Sequence, residues 1–251
     1  MARYIGFFPP PDPDNNFGII PITTQFLKKK INKWAYDKRK LVFISSSATI
    51  TQTLTLPSNI VSGDIIFFLS TARITSDFLP ASVPNGFTTV KSDQYSYFIS
   101  PTTYYAVSTV AYKIATNSDA SATITTNYNS PQQVYTQVVV FRNEVSAITS
   151  CSFHSIQSYV ATVDNEVMPT HTINASSLNK QGVFFGYFYK NNIVVNTPVF
   201  SSGFDGGYDS DYTQIKFYAK NNLEKVLSIT ATTNTVFRPQ NYMLTFYMVI
   251  N

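Results

Sequence analysis

The chain has a single cysteine, Cys151. No intrachain disulfide framework is therefore available, and the fold is not tied to an oxidising compartment. It has two histidines, His154 and His171, and with one cysteine these do not make a usual structural zinc site. Charged residues make up only 13% of the chain, about half the ordinary fraction. No apolar run approaches the roughly 18 residues that a membrane helix needs, so membrane insertion is not expected. The start, Met1-Ala2-Arg3-Tyr4, lacks the charged-then-apolar pattern of a signal peptide, and synthesis in the cytoplasm is expected. Gly-x-Ser-x-Gly, His-Glu-x-x-His and phosphate-cradling glycine loops are all missing from the sequence. The chain therefore reads as non-enzymatic, with no cofactor and no metal.

In place of charge there is aromatic and hydroxyl surface. The chain holds 17 Tyr and 20 Phe, and Thr, Ser and Asn are abundant. That mix favours pleated surfaces over helices, and suits a protein that contacts other subunits or sugars. The net charge of +4 is concentrated in one place. Lys28, Lys29, Lys30, Lys33, Lys38, Arg39 and Lys40 stand against Asp37 alone, a local +6 that leaves the remainder at −2. A near-neutral body with one basic segment does not read as a nucleic-acid binder.

Residues 1–23 read as an extended docking arm. Phe7-Phe8-Pro9-Pro10-Pro11-Asp12-Pro13 cannot be helical, because proline removes donors and pushes its predecessors toward extended backbone. Yet the segment keeps Phe7, Phe8, Phe17 and Ile19, more apolar surface than a linker carries. It is expected to pack on a neighbouring subunit. Residues 24–40 read as a basic amphipathic helix capped by Thr23 or Thr24, with Leu27, Ile31 and Trp34 on one face. Phe7, Phe8, Phe17, Leu27, Ile31 and Trp34 are the expected partner-docking residues.

From Leu41 onward the chain reads β. Ala48 to Leu56 alternates with the period of a half-buried strand. Gly63-Asp64-Ile65-Ile66-Phe67-Phe68-Leu69-Ser70 is a buried strand after a turn, and residues 71–101 read mostly as loop. An aromatic strand follows, ending Val110 to Ala115. A Thr-rich strand at Ala122 to Thr126 and an apolar strand at Gln137 to Arg142 come next. The order then recurs. Gly182 to Phe188, Gln214 to Lys220, Leu227 to Thr232 and Tyr242 to Met248 answer those four strands, and Met168 to Ala175 answers Ile50 to Leu56. This is the pattern of a degenerate internal duplication. It predicts an all-β fold of two tandem antiparallel β-sandwich domains, jelly-roll or Ig-like, at 41–147 and 148–251.

Candidate chemistry is sparse. Cys151 with His154 or His171 is a conceivable nucleophile pair, but a half-buried thiol and two surface imidazoles is the plainer reading. The Gly-rich loop with Asp205, Tyr208, Asp209 and Asp211 offers oxygens for calcium or a tyrosine face for a glycan, though it lacks the EF-hand glycine and distal Glu. A Tyr-rich loop at 94–105, with Tyr95, Tyr97, Tyr104 and Tyr105, offers the same to a sugar; adaptable protein interfaces use these residues as well.

The order Gly63-Asp64-Ile65-Ile66-Phe67-Phe68, Pro84-Asn85-Gly86-Phe87-Thr88, Ala111-Tyr112-Lys113-Ile114-Ala115 and Val138-Val139-Val140-Phe141-Arg142 resembles β-sandwich domains of bacteriophage virion proteins. That resemblance implies a virion structural role as a tail, fibre or adaptor component. The expected partners are other virion proteins and further copies of the chain. A capsid decoration protein or a module for host surface glycans is the alternative.

Overall fold

A computed structural model describes residues 41–75, 82–129, 131–161, 170–174, 182–189, 199–200, 207–209, 215–222, 226–232 and 241–251, with backbone alone for 199–232. The docking arm, the basic helix, Asp205 and Asp211 lie outside these residues. Every regular element described is a strand. The first half holds β1 (Leu41–Thr49), β2 (Thr53–Thr55), β3 (Ile65–Ile74), β4 (Thr88–Ile99), β5 (Thr102–Ile114), β6 (Thr123–Thr125) and β7 (Gln133–Asn143). The second holds β8 (Cys151–Val160), β9 (Thr170–Asn174), β10 (Gly182–Tyr189), β11 (Val199–Phe200), β12 (Gly207–Asp209), β13 (Ile215–Asn222), β14 (Val226–Thr232) and β15 (Tyr242–Ile250).

The expected duplication reappears as topology. One five-stranded sheet runs β1-β7-β3-β5-β4, and the other, read from its far edge, runs β8-β15-β10-β13-β12. Each β-strand of the first sheet has its counterpart at the same place in the second. A small sheet accompanies each: β2-β6 in the first half and β11-β14-β9 in the second. All pairings are antiparallel.

Period-2 alternation sorts the side chains. Ile65, Phe67 and Leu69 of β3 face the second sheet, and Val183, Phe185, Tyr187 and Tyr189 of β10 face the first. Phe67 meets Phe185 at 4.9 Å and Phe246 at 5.9 Å. Tyr135, beside the end of β3, meets Tyr189 at the end of β10, so the two strands run the same way. Tyr95 lies parallel to Tyr242, and Tyr112 meets Phe153 at 4.7 Å, which places β4 and β5 over β15 and β8. An approximate twofold axis along the strands relates the halves.

The expectation of two tandem sandwiches is accordingly not confirmed. Residues 40–251 form one compact unit, and its principal core lies between the two large sheets. The reason is visible in the strands: those at the centre of each sheet are apolar on both faces, so each sheet needs cover on both sides. In the first half the outward cover is the small sheet. Leu54 and Leu56 pack with Ile66, Phe68, Val138 and Val140 in a second core. In the second half, β9 lies against the outward face of its sheet, where Gln157 and Ser155 donate to the carbonyls of Thr172 and Asn174.

Two local expectations change. The stretch 48–56 is broken at 50–52, leaving Ile50 59% exposed. The stretch 71–101 is mostly strand, since β3 runs on to Ile74 and β4 fills 88–99. Gly63 opens β3 at φ +87°, and a Cβ there would sit 2.4 Å from that of Ala147. The C-terminal strand β15 is central, lying between β10 and β8.

Registers fix the equivalences. Ile65 pairs with Phe141 and Val183 with Met248. Asp64 thus answers to Gly182, Arg142 to Val249, and Gln137 to Leu244.

Candidate functional site

The cysteine–histidine pair does not assemble. Cys151 opens β8 facing the inter-sheet core. Burial pushes its thiol up to about 11, against a hydrogen bond from Tyr112 that lowers it, so the nucleophilic thiolate is scarce at neutral pH. His154, three residues along the same strand, faces the other way and lies 3.0 Å from the Ser152 hydroxyl. His171 is on β9, packed against the opposite face of the sheet. It is 4% exposed, with Nδ1 2.8 Å from Thr245 Oγ1, and burial alone pulls its imidazole down to about 4. The expectation of a surface imidazole fails there because β9 is folded over the sheet. Among the described residues no three His, Cys, Asp or Glu are grouped to hold a metal.

Of the acidic loop, Tyr208 and Asp209 fall on the edge strand β12, opposite Phe217 and Lys216. Their side chains are not described, and Asp205 and Asp211 lie outside the described residues.

The Tyr-rich segment 94–105 is not a loop. It is the β4–β5 hairpin, turning at Ser100–Pro101. Alternation sends Tyr95 and Tyr97 inward, where they are 7% and 3% exposed. Tyr95 Oη lies 2.9 Å from Ser108 Oγ, which in turn lies 2.8 Å from Thr71 Oγ1. Tyr242 donates to Asp93 at 2.8 Å. Burial pushes the phenols of Tyr95, Tyr189 and Tyr242 well up. These rings are core and not a binding face. The residues at the hairpin's tip differ: Phe98 and Ile99 are 59% and 43% exposed.

At this same end of the first sheet the chain forms a groove of about 570 Å³. Its walls are the β1–β2 turn (Ile50, Thr51, Gln52) and the entry to β7 (Pro131 to Tyr135). Arg73, near the end of β3, is the register partner of Gln133. Its guanidinium lies 4.9 Å over the Tyr104 ring, and Tyr104 stacks on Tyr97 at 5.5 Å. Burial pushes the Tyr97 phenol up to about 12, with Arg73 acting against the shift. Arg73 Nε and Gln133 Oε1 are buried without a hydrogen-bond partner. Reading the sequence missed Arg73, Gln133 and the groove. The turn at 50–52 and the entry to β7 form the groove, the pairing of β3 with β7 sets Arg73 beside Gln133 but outside the groove's lining, and no local motif marks them.

Comparison of the chain with models of protein families, with curated proteins and with solved structures finds no match.

Proposed function

We propose that the chain is a non-enzymatic structural component of a bacteriophage particle, a tail, fibre or adaptor subunit. It docks to other particle proteins and to copies of itself through residues 1–40. One observation carries this reading. The four motifs that resemble virion sandwiches fall in order on β3, on the turn before β4, on β5 and on β7, all of one sheet. A body closed by ring packing between two large sheets supports a load-transmitting role. Each half, with a five-stranded sheet and a small covering sheet, is read as one unit of a duplicated sandwich. Phe7, Phe8, Phe17, Leu27, Ile31 and Trp34 supply the docking anchors, since buried aromatic residues dominate such interfaces.

Mass spectrometry of purified particles tests it, with copies counted against the major capsid protein. A few to a few dozen copies per particle support a tail or fibre place; absence from particles overturns the virion reading. Deleting residues 1–23 should abolish incorporation. If the truncated chain is incorporated as before, docking by the arm is wrong.

A further inference from the structure

We propose that a second copy of the chain docks end to end on the first sheet, each copy's β4–β5 hairpin tip entering the other's groove beside β1 and β7. The contact is separate from residues 1–40 and does not depend on a place in a particle. The last residue of β3 in register with β5 is Ile74, opposite Tyr105. The hairpin runs on past it through three more pairs, Tyr97–Tyr104, Phe98–Thr103 and Ile99–Thr102, a projection of about 10 Å. Alternation puts Phe98 and Ile99 on opposite faces of this projection, and both are exposed. A knob that is apolar on both sides is covered by a groove and not by a flat face. Its base is braced, since Tyr97 stacks on Tyr104 and the Arg73 guanidinium lies over that ring.

The groove matches the knob. Ile50 on its wall is as exposed as Phe98, at 59% each. The polar groups of the walls are engaged within the chain. Thr51 Oγ1 donates to the Thr53 carbonyl, Gln52 Oε1 accepts from the Tyr128 amide, and Gln132 Nε2 donates to Thr75 Oγ1. That leaves Ile50 and Pro131 to meet an apolar side chain, and it holds the walls in place before one arrives. No charged residue lines the groove, and none stands between Asp93 and Lys113 in the hairpin. The two surfaces therefore meet without burying a charge.

Strand order supplies the geometry. In the sheet β1-β7-β3-β5-β4 the groove lies on one side of β3 and the tip on the other, both at the same end. The strand β3 thus separates a tip from its own groove. A twofold axis normal to the sheet, beyond the end of β3, exchanges the two sides and reverses the strands. It sets each tip over the other copy's groove and makes the contact twice, as a closed dimer requires.

Sedimentation equilibrium of the full chain over a range of concentrations tests this, and the expected result is a dimer. Phe98→Ser and Ile50→Asp, both at exposed positions, should keep the wild-type melting temperature. Each should weaken the dimer by about a hundredfold or more, since each loss counts twice. In a Cys151→Ser background, Phe98→Cys with Thr51→Cys should give a disulfide-linked dimer under oxidised glutathione, and neither single variant should. A chain that stays monomeric overturns the proposal, as does a double variant that does not link. So does a dimer that keeps wild-type affinity in both Phe98→Ser and Ile50→Asp; association through residues 1–40 gives that result and leaves the docking-arm reading intact. Linkage by Phe98→Cys alone would place tip against tip and overturn the exchange.

Discussion

At the start of β3 the first half buries a charge; at the matching place in β10 the second half has no side chain at all. Asp64 is fully buried and takes Arg142 in a two-pronged pair, Nε to Oδ1 at 2.7 Å and Nη2 to Oδ2 at 2.8 Å. It also accepts from the Val61 amide, and Arg142 reaches on to the Asn59 carbonyl. The ion pair therefore ties the turn at 59–64 to β7. In the second half Gly182 stands where Asp64 does, and Val249 where Arg142 does. A Cβ on Gly182 would lie 2.2 Å from the Met248 carbonyl and 2.5 Å from the Tyr247 ring. One half closes this corner with electrostatics and the other with close packing.

The outward faces differ in the same manner. Ile66 beside Val140 and Phe68 beside Val138 become Phe184 beside Tyr247 and Gly186 beside Thr245. Bulk lost at Gly186 is regained one pair along, where Phe184 and Tyr247 meet at 4.7 Å. Side-chain bulk on the outward face is therefore distributed differently in the two halves, two medium pairs in the first and one large and one small pair in the second. Duplicated topology thus constrains strand order and inward alternation, and leaves the chemistry at each corner free to diverge.

Transplanting one half's solution into the other should break it. Gly182→Asp puts a side chain into the Met248 carbonyl and should cost about 5 kcal/mol or more, read as loss of soluble protein or of the melting transition. Arg142→Ala leaves Asp64 buried without its cation and should cost roughly 3–5 kcal/mol in urea unfolding. A loss below 1 kcal/mol would mean that water reaches Asp64.

The buried imidazole of the second half sharpens the contrast by pH. His171 titrates near 4 when folded, against about 6.5 when unfolded. The unfolded chain binds the proton first, so this contribution is complete above pH 6.5 and is lost as pH falls toward 4. The loss amounts to roughly 3 kcal/mol. Urea unfolding of the wild type and of His171→Gln at pH 7 and pH 4.5 should show a smaller pH difference in the variant. Equal differences would remove His171 from the acid response.

The smallest effect runs the other way. Gln137 is fully buried between the large sheets, and neither its Oε1 nor its Nε2 has a partner. Its counterpart in the second half is Leu244. Gln137→Leu should raise stability by about 1–2 kcal/mol, since it removes two unsatisfied groups at nearly constant volume. A loss of stability would indicate an ordered water on the amide.

Much of this fold was legible in the chain, because the strands carry their signals locally. The five recurring segments fall on β2, β3, β5, β6 and β7 and again on β9, β10, β13, β14 and β15. The strand β4 was missed, since Lys91, Ser92, Asp93 and Gln94 at its middle look like loop residues. They suit a strand at the edge of a sheet, where polar side chains reach water. The candidate sites fared worse. The Tyr-rich segment has the composition of a binding loop, but alternation turned Tyr95 and Tyr97 into the core. Cys151 and His154 are neighbours in sequence, yet odd spacing on one strand puts them on opposite faces.

The sequence by itself determined that this is a β protein, that its halves repeat, and which residues alternate, because propensity and period act over a few neighbouring residues. Only the tertiary structure decided that the two large sheets share one core. A strand apolar on both faces records that both will be covered, and carries no record of what covers them. Pairing across 60 or more positions then brought Arg73 beside Gln133, since a hydrogen-bonded register joins residues that the sequence keeps far apart.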